Sequence, residues 1–551
     1  MGSGIILAMS GQVESKKGAW RDWTWILPAM ISALFTGRLL NEWLRWGVSG
    51  AILITLAAFL LAFLLMRRRP IQQTWPACLL VIYVIYPEPD PRVALAVALL
   101  AIAALILSLT SNGTEQFISS RLMHIIPILL IAASFSILYF FTLTPDILPA
   151  DSGEFQLVAA ELGVAHPPGF PLYTMLANLM TRLPLEATAA YKVNLLSVIT
   201  SVLTLILVYL AVYQLTGSIA AGIVGSLALG GATTFWAQAT TANIRSLTGF
   251  FTALALYALL KTTGYRISSL NQESSVLSDS FTNNLIDPDS SRWTRVRRIV
   301  SRIELSNWFS TIRNEPPSTQ EHISQKNPPI ISRTFFLALF FLAIGLGITH
   351  HGSLVFIAAF FILFLLLVQP NSMAPRRWPI ILLAAGVGLA TLLYLPIRGA
   401  AGAFGAPDDL TSMGGFLNHV LARGFRGDLL YFDDLGILWE RLKVMGNVFA
   451  FQFHPFLLAA IVAGMAIMIW RDRFLALLIG GSMALFILVA AIYRAPQTVE
   501  YLLPAYVLAV VSIGYLAGIA RQEGLTGKVS RTNRLIRRYL ASILIALLFV
   551  T

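Results

Sequence analysis

Charge is scarce in this chain: 12% of its 551 residues are Asp, Glu, Lys or Arg, 57% are apolar, and mean hydropathy is +0.73. A soluble globular domain carries about 25% charged residues. Composition therefore excludes one and implies a protein that crosses a membrane many times. Cysteine is nearly missing as well. The single Cys78 lies inside an apolar stretch, which excludes an intramolecular disulfide and argues against a thiolate metal site. No cleavable signal peptide is legible, because the apolar run 5–9 is too short for one. No internal repeat stands out, nor a pair of Gly/Pro-broken spans in matching halves, which weighs against a secondary transporter. Acid is the scarcer sign, 27 residues against 39 Lys and Arg, for a net charge of +12. In a chain this apolar the excess reads as basic cytoplasmic loops, so no nucleic-acid partner is expected.

What is abundant is apolar windows near the length that crosses about 30 Å of hydrocarbon. They fall at roughly 23–40, 49–66, 72–88, 91–110, 122–145, 191–214, 218–237, 244–262, 334–351, 353–369, 378–396, 453–470, 474–494 and 500–519. A last one begins near 539 and is cut short at Thr551, so a longer natural protein is expected. The pattern predicts an all-α polytopic bundle of about 14–15 transmembrane helices. Basic residues orient it. Lys16, Lys17 and Arg21, then Arg67 to Arg69, Arg376 and Arg377, Arg471 and Arg473, and the cluster from Arg531 to Arg538 share one side when spans are counted through. So does the polar insert 265–333, rich in Ser, Asn and Arg and read as a flexible cytoplasmic loop. Asn112-Gly113-Thr114 matches a glycosylation acceptor but falls on this cytoplasmic side, as a chance match.

The opposite, external face receives the most informative stretch: Asp151-Ser152-Gly153-Glu154, followed by His166-Pro167-Pro168-Gly169-Phe170-Pro171. Asp151 and Glu154, three apart, share a face if a helix starts here. One reading makes Asp151 an N-cap and Glu154 the far end of a capping box, with Gly163 ending the helix. A paired acid beside a rigid Pro-rich turn also suits a general base at a membrane surface. The next segment has helical period. Leu172, Met175, Leu176, Leu179, Met180 and Leu183 form an apolar face opposite Thr174, Asn178, Thr181 and Arg182, as in a helix lying in the interface.

The same external face collects Lys192 and Asn194, His350-His351, Arg398, His419, Arg423 and Arg426 in the loop 398–450, and Tyr493-Arg494 and Glu500-Tyr501. Acids and bases gathered there suit a reaction on an anionic lipid-linked substrate, a carboxylate deprotonating an acceptor and a guanidinium holding phosphate. Arg398 and Lys192 can equally snorkel to head groups. The histidine pair has no third ligand in register for a metal.

The blocks Asp151-Ser-Gly-Glu154, Gly163-Val-Ala-His166-Pro-Pro-Gly-Phe-Pro-Leu-Tyr173 and Asn194-Leu-Leu-Ser197 resemble the first external loop of the transmembrane protein 260 family, polytopic relatives of the protein O-mannosyltransferases. Thr234-Phe-Trp-Ala-Gln238, Gly347-Ile-Thr-His-His351, Tyr394-Leu-Pro-Ile-Arg398, Gly415-Phe-Leu-Asn-His419 and Glu500-Tyr-Leu-Leu-Pro504 follow in the family's order. The resemblance covers roughly 122–520. The chain departs from it at Asn243-Ile244-Arg245, where an acid and a tyrosine are expected, and in the 405–412 loop, which lacks an expected tryptophan. These departures bear on acceptor recognition.

The resemblance implies a GT-C-like helical bundle with an external catalytic loop bearing short interfacial helices. Its implied activity is an inverting glycosyltransferase, moving a sugar such as mannose from a polyprenyl-phosphate donor to a hydroxyl of a protein or glycan. Asp151 would be the base and Glu154 its orienting partner. Arg398 would hold the donor phosphate, with Lys192, His350 and His351 in reserve. His166, Tyr173, Asn194, Gln238, His419, Glu500 and Tyr501 would bind substrate. No cofactor and no metal are expected, since a phosphate esterified to lipid can leave with cationic help alone. The expected units are a four-helix membrane extension over 1–121, a glycosyltransferase membrane domain over 122–520 with its catalytic loop at 145–190, and a basic cytoplasmic end at 521–551. The expected setting is a prokaryotic cytoplasmic membrane, with the site on its outer face. The alternative is a lipid or polysaccharide transporter, which would keep polar residues near the midplane of its spans. A catalytically inactive scaffold is a third reading.

Overall fold

The computed structural model describes residues 25–67, 74–91, eight positions between 93 and 105, 120–267, 330–429, 431–494 and 497–525. The body of the polar insert, the Asn112 acceptor, the first basic cluster, and the basic end with its final apolar run lie outside the described residues. Among those residues every regular element is helical. That follows from a solvent without hydrogen-bonding partners, in which each peptide group must be satisfied within its own segment.

Among the described residues six helices are long and apolar enough to cross a membrane, or eight if two bent pairs each count as one span. Other apolar windows fall, among the described residues, on helices too short or too polar to pass on their own, such as Leu354–Val368 and Arg245–Thr263. Burial grades the bundle. Gly47–Met66 has a mean hydropathy of 2.6, the same as Ala189–Thr216, yet only 11% of its window is covered by protein, so its leucines face lipid. Leu503–Ala520 is 94% covered and Ala189–Thr216 72%, which makes these two the axis around which the others pack. Small residues allow the closest approaches. A Cβ on Gly388 would stand 2.3 Å from the Gly345 carbonyl, so the helices Ile330–His350 and Trp378–Thr391 touch backbone to backbone.

In the N-terminal part, Arg38 fastens Ile26–Leu44 to the segment 83–86, one span further on. Its NH1 donates to the carbonyls of Tyr83 and Tyr86 at 2.8 and 2.6 Å, and its Nε to Glu42 at 2.6 Å.

Window 218–237, read as one run, is broken. Ile219–Gly230 and Thr233–Ala239 meet at 74°. The break falls at Gly230-Gly231, where Phe135 occupies the space a Cβ on Gly230 would need, and Tyr139 donates its hydroxyl to the Gly230 carbonyl at 2.8 Å. Trp236 Nε1 donates to Thr142 Oγ1 at 2.9 Å, and Gln452 Oε1 accepts from the Thr234 N–H at 2.7 Å. A second bend of 118° separates Leu435–Gln452 from Pro455–Arg471. Gln452, at the second bend, is what meets Thr234 just past the first, so the two bends are joined.

Candidate active site at the Asp151 end of the bundle

Asp151 opens the helix Asp151–Glu161, but not as its cap. The preceding Ala150 takes a left-handed φ of 59°, no side chain caps the turn, and Asp151 is the first helical residue. The capping box does not form either. Glu154 turns away to accept the His166 N–H at 2.7 Å on one oxygen and to meet the His166 ring Nδ1 at 2.6 Å on the other. At the far end Leu162, not Gly163, adopts the left-handed conformation, at φ 49°. Gly163 is needed for another reason: a Cβ there would lie 2.6 Å from the Phe404 carbonyl. Val164 donates its N–H to that same carbonyl at 2.8 Å, and Tyr394 donates its hydroxyl to the Gly163 carbonyl at 2.7 Å. The loop from the 398–450 region is thus stitched onto the Asp151 segment.

The Pro-rich turn that follows closes over His419. Gly169, at φ +92°, leaves only 3.0 Å between an added Cβ and His419 Nε2. The helix Pro171–Thr181 then buries part of the face read as polar, Thr174 and Asn178, and leaves Arg182 exposed. Thr174 and Asn178 point inward, where Asn178 Nδ2 donates to the Ala159 carbonyl at 2.8 Å, while Leu179 is 56% exposed. Of the face read as apolar, Leu172, Leu176 and Met180 pack partly against the core, so the helix is covered on both faces.

A cavity of about 260 Å³ opens beside Asp151. It is slightly below the usual range of about 300–1,000 Å³ for ligand sites. Asp151, Ser152 and Phe155 line one side; Gln238, Asn243 and Arg245 line another; Gln497 and Glu500 complete it. The Asp151 carboxylate has no hydrogen bond or ion pair among the described residues. Glu154 is occupied. Burial alone would raise its pKa, but hydrogen bonds from the His166 ring and N–H outweigh that and hold it below the usual carboxylate value. The Glu154 hydrogen bond in turn raises the His166 pKa, against the opposing effect of burial. Ligand atoms of Asp151, Glu154 and His166 all lie within 4.8 Å of one another. That spacing fits a cation as well as the hydrogen-bonded pair that is formed. Burial also raises the Glu500 pKa, and the Arg245 charge opposes it.

Of the sequence candidates, Asp151, Gln238 and Glu500 meet in this cavity, and Tyr501 stands against it beneath Arg245. Others are engaged elsewhere. Arg398 Nε donates to the Leu162 carbonyl at 2.7 Å, and Lys192 Nζ reaches the Thr181 carbonyl at 3.5 Å. Asn194 bridges Gln156 and the Thr144 carbonyl at 2.9 and 2.8 Å, and Tyr173 is fully buried against Phe155. His350 is buried with Nε2 at 3.0 Å from the Ile244 carbonyl. His351 does not offer a positive charge to a phosphate: burial, together with the Arg245 charge, depresses its pKa well below the usual value. Its Nε2 faces Arg245 NH1 at 2.7 Å, and a guanidinium only donates, so the ring proton sits on Nδ1 and goes to Ser353 Oγ at 2.6 Å.

Sequence reasoning overlooked Arg245 as a site residue, although Asn243-Ile244-Arg245 stood out as a departure from the family pattern. The structure explains both residues. Asn243 ties the turn that starts Arg245–Thr263, its Oδ1 accepting the N–H groups of Arg245 and Ser246 at 2.8 and 2.9 Å. Its Nδ2 donates to the carbonyls of Gln238 and Thr241 at 2.6 and 2.7 Å. An acid there could not make the second pair.

The cavity's first two walls lie within one continuous segment, and residues 151–281 match the model of the Protein O-mannosyl-transferase TMEM260 N-terminal domain. Over this segment the chain resembles the TMEM260 family. The Protein O-mannosyl-transferase TMEM260 of Mus musculus is 39% identical over 128 residues, which is 23% of this chain and 18% of that protein. The Dictyostelium discoideum protein of that name is 28% identical over 132 residues, 24% of this chain and 16% of its own. The chain thus spans less than a fifth of the length of these TMEM260 relatives. Among solved structures, apo ArnT from Cupriavidus metallidurans aligns at TM-score 0.41 and 11% identity, over 77% of this chain and 74% of that one. The Archaeoglobus fulgidus oligosaccharyltransferase aligns at 0.39 and 12%, over 78% and 56%. Likeness at this level carries no functional assignment.

Proposed function

We propose that the protein is an inverting, membrane-embedded glycosyltransferase that moves a sugar from a polyprenyl-phosphate donor to a hydroxyl acceptor. The observation that carries this reading is the contrast between the two acids. Asp151 lines the cavity with its carboxylate uncommitted, whereas Glu154 is held on both oxygens by His166. A free carboxylate in a cavity is placed to take a proton. A bound one positions the loop.

In the reaction, the acceptor hydroxyl gives its proton to Asp151 while its oxygen attacks the anomeric carbon. The bond from that carbon to the phosphate oxygen breaks, and polyprenyl phosphate leaves with the electron pair. Attack opposite the leaving group inverts the configuration. Names of the TMEM260 relatives support mannose as the sugar and a protein hydroxyl as the acceptor. The catalytic unit in this reading is 122–520, with 1–121 a membrane extension. The site faces outward from a cytoplasmic membrane, as the placement of Lys and Arg implies.

The test is sugar transfer from mannosyl-phosphoryl-polyprenol to a Ser/Thr peptide by the full chain in nanodiscs. Asp151→Asn removes the base and leaves the helix start in place, losing at most about 1 kcal/mol of dipole interaction. Turnover should fall by roughly 10²- to 10⁴-fold with little change in the melt. A folded Asp151→Asn protein that transfers at the normal rate removes Asp151 as base. A wild-type protein that turns over no such donor overturns the reading.

A further inference from the structure

Arg245 is 94% buried, being only 6% exposed, and yet it lines the cavity. A buried charge is costly unless it is paired. Among the described residues Arg245 forms no ion pair: no carboxylate oxygen comes within 4 Å, although Asp151 and Glu500 share the cavity wall. Its one side-chain hydrogen bond is from NH1 to the neutral His351 at 2.7 Å. The flat face of the guanidinium lies 3.7 Å from the centre of the Tyr501 ring, and that ring is braced edge-on by His351 and Tyr493 at 5.7 and 5.5 Å. The side chain is therefore fixed on its back and on one edge, while Nε and NH2 have no partner among the described residues. The backbone is fixed as well, by Asn243 at the helix start.

A guanidinium held flat, desolvated and short of an anion is a receptor for a planar pair of oxygens. The neighbouring acid does not fill that role. Burial favours the protonated form of Glu500, which weakens its competition for Arg245. Arg398, by contrast, spends Nε on a backbone carbonyl and stands outside the cavity lining.

We propose that Arg245 is the anion-binding residue of this cavity and takes the phosphate of the lipid-linked donor, the role that the sequence pattern gives to Arg398. The inference rests on the cavity being the sugar-transfer site, and it names the group that reads the donor. It also gives the departure from the TMEM260 pattern a function, since the position expected to hold tyrosine holds the cation.

The experiment measures binding of a short-chain polyprenyl phosphate to the full chain in nanodiscs, with the corresponding polyprenol and inorganic phosphate as separate probes. Arg245→Gln should weaken polyprenyl-phosphate binding by about 10- to 150-fold, as loss of a charge-assisted contact implies, and leave polyprenol binding unchanged. Arg245→Lys should recover only part, because an ammonium neither stacks on Tyr501 nor offers two parallel donors. Arg398→Gln should shift affinity less than threefold. Unchanged binding in a folded Arg245→Gln protein, or a larger loss in Arg398→Gln, overturns the proposal. If the glutamine variant does not fold, the lysine variant decides, and wild-type affinity there overturns it. Inorganic phosphate that binds as tightly as the lipid also overturns it, since the cavity would then serve a free anion. The two readings fail separately. Binding through Arg245 without sugar transfer sinks the transferase alone, and transfer with an unchanged donor KM in Arg245→Gln sinks this inference alone.

Discussion

Replacing Asn243 by aspartate restores the acid that the family pattern leads one to expect, and the structure predicts that it will do harm. The two side chains have the same shape, so packing is not at issue. Oδ1 would still accept from the N–H groups of Arg245 and Ser246. The two donated bonds are lost, and a carboxylate oxygen would face the carbonyls of Gln238 and Thr241 at 2.6 and 2.7 Å. The Gln238 bond is buried, and stranding a buried acceptor costs about 1–3 kcal/mol. The Thr241 bond is only partly buried, so that carbonyl can turn to water at smaller cost. Against this stands the attraction of a negative charge to a helix N-terminus, about 0.3–1 kcal/mol. The net expectation is a loss of about 1–3 kcal/mol, a fall of a few degrees in Tm, read by thermal melt of wild type and Asn243→Asp in the same detergent. The deficit should also depend on pH. The introduced carboxyl is buried against two acceptors, so its folded pKa is raised, and its stabilising neutral form is present at low pH and lost as pH rises. The gap to wild type should therefore narrow from pH 8 to pH 5. Equal melts at neutral pH, or a gap that ignores pH, refute the account of this turn.

Two further predictions follow from contacts already described. The Glu154–His166 pair combines a carboxylate with a lowered pKa and an imidazole with a raised one. Its stabilisation is present between their ordinary values of 4.5 and 6.5, fading above as pH rises through the His166 value and below as pH falls through the Glu154 value. The Tm difference between wild type and Glu154→Gln should peak in that window; both side chains are about a third exposed, so the effect is small, and a difference flat from pH 4 to 9 counts against the pair. Gly388→Ala should destabilise, because the new Cβ meets the Gly345 backbone at 2.3 Å, whereas Gly386→Ala, with nothing within 4 Å, should not. Equal melts for the two would show that the helices are not packed backbone to backbone.

Helices were legible because an apolar run in a membrane has few conformations open to it, and windows such as 191–214 and 500–519 fall on Ala189–Thr216 and Leu503–Leu525. Bends were not legible: averaging over 218–237 hides Gly230-Gly231, whose break depends on Phe135 and Tyr139 arriving from another helix. The capping reading of Asp151 failed for a similar reason. Glu154 had a local partner in sequence, and a distant one, His166, won by offering two donors. Arg245 was hardest to see. In the sequence it is one arginine at the edge of an apolar run, and only folding brings His351 and Tyr501, more than a hundred residues later, to hold it.

The axial position of Leu503–Ala520 has a consequence for biogenesis. Most of the helices that surround it precede it in the chain, and 94% of its window ends up covered by them. It therefore cannot be inserted at the outside of a finished bundle. The earlier spans reach their final packing only once this late helix is in place. The Glu500 and Tyr501 side of the cavity arrives with that helix, so the nascent protein stays without a complete site until its core closes.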